Sequence, residues 1–125
     1  MSGPTNKAEL SVACGPLAGP VLGRVIAMLA ARANLPIDRL NDAVLLGDTI
    51  AANSRGAVPD GRVRMTIHAD GQSLELRVGP LVEDGAERIR AAATLPGTGD
   101  VIGRLADEVR VETDEQGEYL LLELG

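Results

Sequence analysis

The sequence predicts an α+β two-layer sandwich, a mostly antiparallel sheet with helices packed on one face. Three observations carry this. Segments of period two and of period 3.6 come in blocks along the chain, in the order strand, two helices, two strands, one or two helices, two strands. Every pair of neighbouring strands is joined by a short turn or by helix. The strands alternate charged with aliphatic residues, as in a sheet that is covered on one side and wet on the other.

The elements follow in order. Ser2 to Asn6 reads as a flexible opening, and residues 7–125 as a single domain. Glu9, Leu10, Ser11 and Val12 alternate in a half-buried strand from Lys7 to Cys14. From Pro16 to Asn34 the residues Leu17, Val21, Val25, Met28 and Leu29 recur at three- and four-residue steps, with Arg24 and Arg32 off that stripe, which predicts an amphipathic helix. Pro36 opens a second helix, with Ile37, Leu40, Val44 and Leu45 on its apolar side, running to about Arg55. Gly56, Pro59, Asp60 and Gly61 then form a loop.

Val63, Met65 and Ile67 alternate with Arg62, Arg64, Thr66 and His68, and Leu74, Leu76 and Val78 with Ser73, Glu75 and Arg77. Asp70-Gly71 between the two runs is a hairpin signal. Gly85 to Thr94 reads as a short helix, Leu95 to Gly99 as a glycine-bearing loop, and Asp100 to Ala106 as a further turn or two of helix. Val109 and Val111 alternate with Arg110 and Glu112, a turn falls at Asp114 to Gly117, and Tyr119 to Leu124 is apolar enough for a central strand.

The 125 residues suffice for one core but not for two ordinary ones. Hydrophobic content of 45% and charged content of 24% exclude a disordered chain, and the absence of Phe and Trp leaves the interior to aliphatic side chains. A net charge of -6 argues against a binder of the phosphate backbone, so nucleic acid is not expected as a partner. No basic segment followed by an apolar run opens the chain, and no stretch approaches the roughly 18 apolar residues of a membrane span, so no membrane partner and a cytoplasmic location are expected. The single Cys14 cannot form an internal disulfide and the single His68 cannot form a two-histidine metal site; a buried thiol and a strand-surface imidazole are expected.

Two stretches carry a resemblance. Leu35-Pro36, Leu40-Asn41-Asp42, Leu45 and Gly47-Asp48-Thr49-Ile50-Ala51-Ala52-Asn53 resemble the first nucleotide-binding helix of the anti-sigma-factor serine kinases, a branch of the GHKL ATP-binding superfamily. Leu95-Pro96-Gly97-Thr98-Gly99 with Val101, Ile102, Leu105 and Ala106-Asp107-Glu108-Val109 resembles that family's lid and the helix after it. In element order the resemblance runs from about Leu10 to Leu124, and it implies a Bergerat-type ATP-binding fold.

The resemblance implies that Asn53 holds a magnesium ion bridging the phosphates of ATP and that Gly97, Thr98 and Gly99 close over them, backbone N–H groups at a helix start being suited to phosphate. Thr49 stands on the family's general-base glutamate, and a threonine hydroxyl cannot accept a proton at neutral pH. Asp48, about 100° further round the helix, is the remaining candidate base. Gly79 stands on the aspartate that would anchor adenine, leaving Asp84 and Gly85 as a displaced substitute. Asp100 replaces a leucine, and a carboxylate there repels polyphosphate by about 1 kcal/mol at a surface site. From the residues alone, Asn53 is also a helix cap and Gly97 and Gly99 serve loop geometry, while Asp107 and Glu108, adjacent at a strand entrance, point to opposite faces.

The function expected first is that of a regulatory protein resembling an anti-sigma factor, in which the fold and partner surface are kept and nucleotide binding is weakened or lost. Its partners would be a sigma factor or an antagonist protein carrying a phosphorylatable serine. One alternative is an active ATP-dependent serine kinase, with Asn53 on magnesium and Asp48 as base; the other is an unrelated small-molecule-binding α+β domain. The family is often dimeric, so a homodimer is among the partners considered, and the arginine-rich sheet face does not suit a hydrophobic dimer surface.

Overall fold

A computed structural model describes residues 6–125. The elements are β1 (Asn6–Ala13), α1 (Ala18–Arg32), α2 (Ile37–Ala52), a single 3-10 turn at Arg55–Ala57, β2 (Arg62–Asp70), β3 (Ser73–Leu81), α3 (Gly85–Ala92), β4 (Thr94–Leu95), β5 (Gly99–Asp100), α4 (Val101–Leu105), β6 (Glu108–Asp114) and β7 (Gly117–Leu124). Asn6, expected in the flexible opening, already pairs with Ala69; the rest of that opening lies outside the described residues. Five strands form an antiparallel sheet in the order β1-β2-β3-β7-β6, and β4 and β5 form a separate two-stranded ribbon. This is the α+β sandwich that the block pattern predicts.

Strand alternation sets the two faces. Val63, Met65 and Ile67 of β2, Leu74, Leu76 and Val78 of β3, and Leu120, Leu122 and Leu124 of β7 turn inward and are buried with Leu22, Ile26, Leu46, Ile50 and Ile89 of the helices. On the other face Arg77 is in register with Thr66 of β2 and Leu121 of β7, which in turn faces Arg110 of β6. Leu121 is buried there without a covering helix, because long arginine stems flank it. The Arg77 guanidinium lies 4.0 Å from the centre of the Tyr119 ring, a cation–π contact that covers the only aromatic side chain. His68 is half-buried on this same face, opposite Lys7 and Glu75.

Two expectations need correction. Cys14 is half-buried rather than buried, its Sγ 3.7 Å from Oγ of the fully buried Ser54. The stripe expected to seat α1 is largely its outer face: Leu17, Val21 and Met28 are exposed, and Ala18, Leu22, Ile26, Leu29 and Ala30 face the core. The same holds for α2, where Ile37 and Leu45 are exposed while Ala43, Leu46 and Ile50 are buried. These helices carry aliphatic residues on nearly every side, so the periodicity fits more than one stripe, and packing on the sheet and between the two helices decides which is buried. Among the described residues no helix is long and apolar enough to cross a membrane.

Candidate functional site

At the C-terminal end of α2 the side chains serve the helix itself. The Thr49 hydroxyl donates to the Leu45 carbonyl at 2.8 Å, and the Asn53 Nδ2 donates to the Thr49 carbonyl at 2.8 Å, so Asn53 is a C-cap with its amide nitrogen turned back on the helix. Asp48 is exposed and lies against Gly19 of α1, in a groove between the two helices. Asn53 lies five positions after Asp48, about 140° around the helix axis, so base and magnesium ligand do not share a face.

Past β2 the chain reaches the region where adenine would be read. The β3–β7 register shifts between Val78 and Leu81, a bulge that contains Gly79 and Pro80. Gly79 has φ +145°, and a Cβ there would sit 2.7 Å from both the Glu118 carbonyl and Cδ1 of Tyr119. Gly85, likewise without room for a side chain, packs on Leu81 and Ala57, and the Val82 amide donates to the Ala57 carbonyl at 2.9 Å. The loop carrying the substitute pair Asp84-Gly85 is thus closed down on the 3-10 turn that follows α2.

The N-terminus of α3 is occupied. Oε2 of Glu118, from the start of β7, accepts the Asp84 amide at 3.0 Å, and Oε1 accepts the Ala86 amide at 3.0 Å. A helix start attracts an anion through its unpaired N–H groups and dipole; here the anion is the chain's own carboxylate. Asp84 itself, at φ +61°, makes no side-chain cap.

The lid-like segment repeats the pattern. Leu95, Pro96, Gly97 and Thr98 form a tight turn, the Thr98 amide donating to the Leu95 carbonyl at 3.1 Å with Gly97 at φ +79°, as the third position of a type II turn requires. Arg104 donates to the Thr98 carbonyl at 2.7 Å and holds the turn shut. Asp100 caps α4: its Oδ1 accepts the Gly103 amide at 3.0 Å, and its Oδ2 accepts from Arg90 of α3 at 2.7 Å. The Gly103 amide and then the Arg90 guanidinium hold this carboxyl below its ordinary range. Because the folded value is depressed, the cap contributes at neutral pH and is lost as pH falls through that folded value. Asp100→Ala is expected to lower stability by about 1 kcal/mol at neutral pH, measured by urea denaturation, with the difference from the parent chain shrinking in acid.

Asp84, Glu87, Asp100 and Glu118 line a cavity of about 530 Å³ beside α3, with Arg90 the single cation among its walls. Four carboxylates against one guanidinium repel a polyphosphate. No group of three or more His, Cys, Asp or Glu among the described residues is placed to hold a metal ion. The walls of this cavity therefore do not suit the phosphates of magnesium-ATP. Glu118 and Arg90 escaped the sequence reading because their partners lie 32 to 34 and 10 residues away, with no local pattern to mark them. Asp107, by contrast, proves structural: Oδ1 accepts from Arg39 of α2 at 2.7 Å and Oδ2 from the Gly125 amide at 2.8 Å.

The outer side of the helix pair is the other feature of note. A groove of about 690 Å³ runs between α1 and α2, floored where Gly19 and Gly23 let the helices close on Asp48 and Val44. Leu17, just before α1, and Met28 and Ile37 are 72%, 57% and 69% exposed; with Val21 and Leu45 they lie along the helix pair, and Met28 and Leu45 line the groove. No family model matches the chain, and no curated protein matches it, so the functional reading rests on these residues.

Proposed function

We propose that the chain is a regulatory binding protein resembling an anti-sigma factor, which acts by holding a protein partner, a sigma factor or its serine-bearing antagonist, on a domain that has lost nucleotide chemistry. The observation that carries the second half of this reading is that Glu118 and Asp100 already fill the N-termini of α3 and α4. A phosphate at either helix would have to displace a carboxylate tethered within the same chain, at high effective concentration, and would meet the acidic cavity beyond it. The element order and the α+β sandwich support the first half, being those the resemblance implies.

Calorimetric titration with magnesium-ATP and magnesium-ADP tests it. No binding heat is expected up to millimolar nucleotide, while a purified alternative sigma factor or antagonist protein binds in the micromolar range or tighter. Micromolar nucleotide binding that is lost in Asn53→Ala would overturn the reading and direct the work to phosphoryl transfer onto the antagonist.

A further inference from the structure

We infer that β6 and the flank of α3 beside it form a strand-addition site, which takes an extended segment of another protein carrying lysine or arginine at alternate positions. The inference goes beyond the reading above and does not rest on it, since backbone and charge make the site whatever protein supplies the segment. β6 ends the sheet, paired with β7 on one side and with no strand on the other. A strand so placed presents a row of free N–H and C=O groups to a further strand. β1 ends the sheet on the opposite side, but its inward residues Ala8, Leu10 and Val12 are packed against the core beneath α1. The inward side of β6 is open: Val111, in register with the buried Leu120, is 51% exposed.

Val111 borders the cavity beside α3, so a strand added to β6 would run along that cavity and turn every second side chain towards it. Of its acidic walls, Asp100 and Glu118 are already bonded, the first to Arg90 and the Gly103 amide, the second to the amides that start α3. The side chains of Asp84 and Glu87 have neither a hydrogen bond nor an ion pair among the described residues. Ala91 and Val111 give the same cavity an aliphatic side. A side chain with an aliphatic stem and a cationic head meets both, which selects lysine or arginine. A second copy's β6, laid with both helix layers on one side of the sheet, would offer Val109, Val111 and Thr113 to the cavity and no cation. An acidic segment would be repelled.

The test is titration of the full chain with a fluorescent peptide that alternates lysine with valine over about eight residues, enough to follow β6. Anisotropy is expected to show saturable binding, and hydrogen exchange to show alternate amides within residues 108–114 gaining protection while those of 6–13 stay as they were. A peptide with glutamate for lysine, and one with the same lysines and valines in two blocks, are expected to bind at least about 10-fold more weakly. Glu87→Lys and Val111→Lys, both at exposed positions on the cavity wall, are expected to weaken the alternating peptide by about 10-fold or more. Glu9→Lys, the same charge change as Glu87→Lys but placed on β1, is expected to leave its binding unchanged, and circular dichroism checks that all three variants fold. A blocked peptide that binds as well as the alternating one would show attraction by charge alone and overturn the inference. No binding up to about millimolar peptide, or protection gained along β1 rather than β6, would overturn it as well. Each of these outcomes is read without nucleotide, sigma factor or antagonist, so this inference and the proposed function can fail separately.

Discussion

Gly79→Asp, which would supply the aspartate that the resemblance to the anti-sigma-factor kinases implies at this position, is expected to destabilise the fold by about 4 kcal/mol and to confer no ATP binding. Two terms add. A non-glycine residue at φ +145° is held in a region open essentially to glycine alone, at about 1–3 kcal/mol. The new Cβ, 2.7 Å from the Glu118 carbonyl and from the Tyr119 ring, must also push apart β7 and the ring that Arg77 covers, at about 1–3 kcal/mol for an overpacked site. Neither neighbour can yield cheaply, one being backbone within the β3–β7 pair and the other the best-buried ring of the open face. Against a total stability of about 5–15 kcal/mol such a loss is large. Urea denaturation reads it as a fall in midpoint at unchanged slope. A variant that matches the wild-type midpoint, or one that binds ATP, would show that the strand end is free to rebuild a nucleotide pocket.

This position also shows what the sequence made legible and what it did not. Strands β2 and β3 could be placed from alternation and from Asp70-Gly71, because period two and the turn are both local signals. The helix start at Pro36 was local in the same sense, whereas α2 ends at Ala52, short of the expected Arg55, because Asn53 caps it and a separate 3-10 turn takes Arg55–Ala57. The glycine at 79 was visible as a departure from the family pattern, but its cause, a bulge beside Tyr119, belongs to the pairing of β3 with a strand 40 residues later. The buried face of α1 was illegible for another reason. With Val21, Leu22, Val25, Ile26, Met28 and Leu29 all apolar, sequence spacing admits competing stripes. Gly19 and Gly23, which let α2 approach, select the one observed. Asn53 and the Leu95 to Gly99 turn were readable as cap and turn, and that is what their hydrogen bonds make of them.

Glu118→Ala is expected to cost about 2 kcal/mol, since it removes two charge-assisted bonds to the start of α3 and leaves the amide of the buried Ala86 without its acceptor. Glu118→Gln keeps one acceptor oxygen and should lose about half as much. Glu123→Ala is the control. It lies on the same strand and is similarly half-buried, but its side chain makes neither a hydrogen bond nor an ion pair among the described residues, so a change within about 0.5 kcal/mol is expected. Hydrogen exchange adds a local reading: the amides of Asp84 and Ala86 should lose protection in Glu118→Ala, while those of central β3 keep theirs. The comparison bears directly on function, because the case against phosphate at α3 is that its N-terminus is already bonded. If Glu118→Ala were no more costly than Glu123→Ala and left exchange at 84 and 86 unchanged, that helix start would be open to solvent, and a bound anion there would again have to be considered.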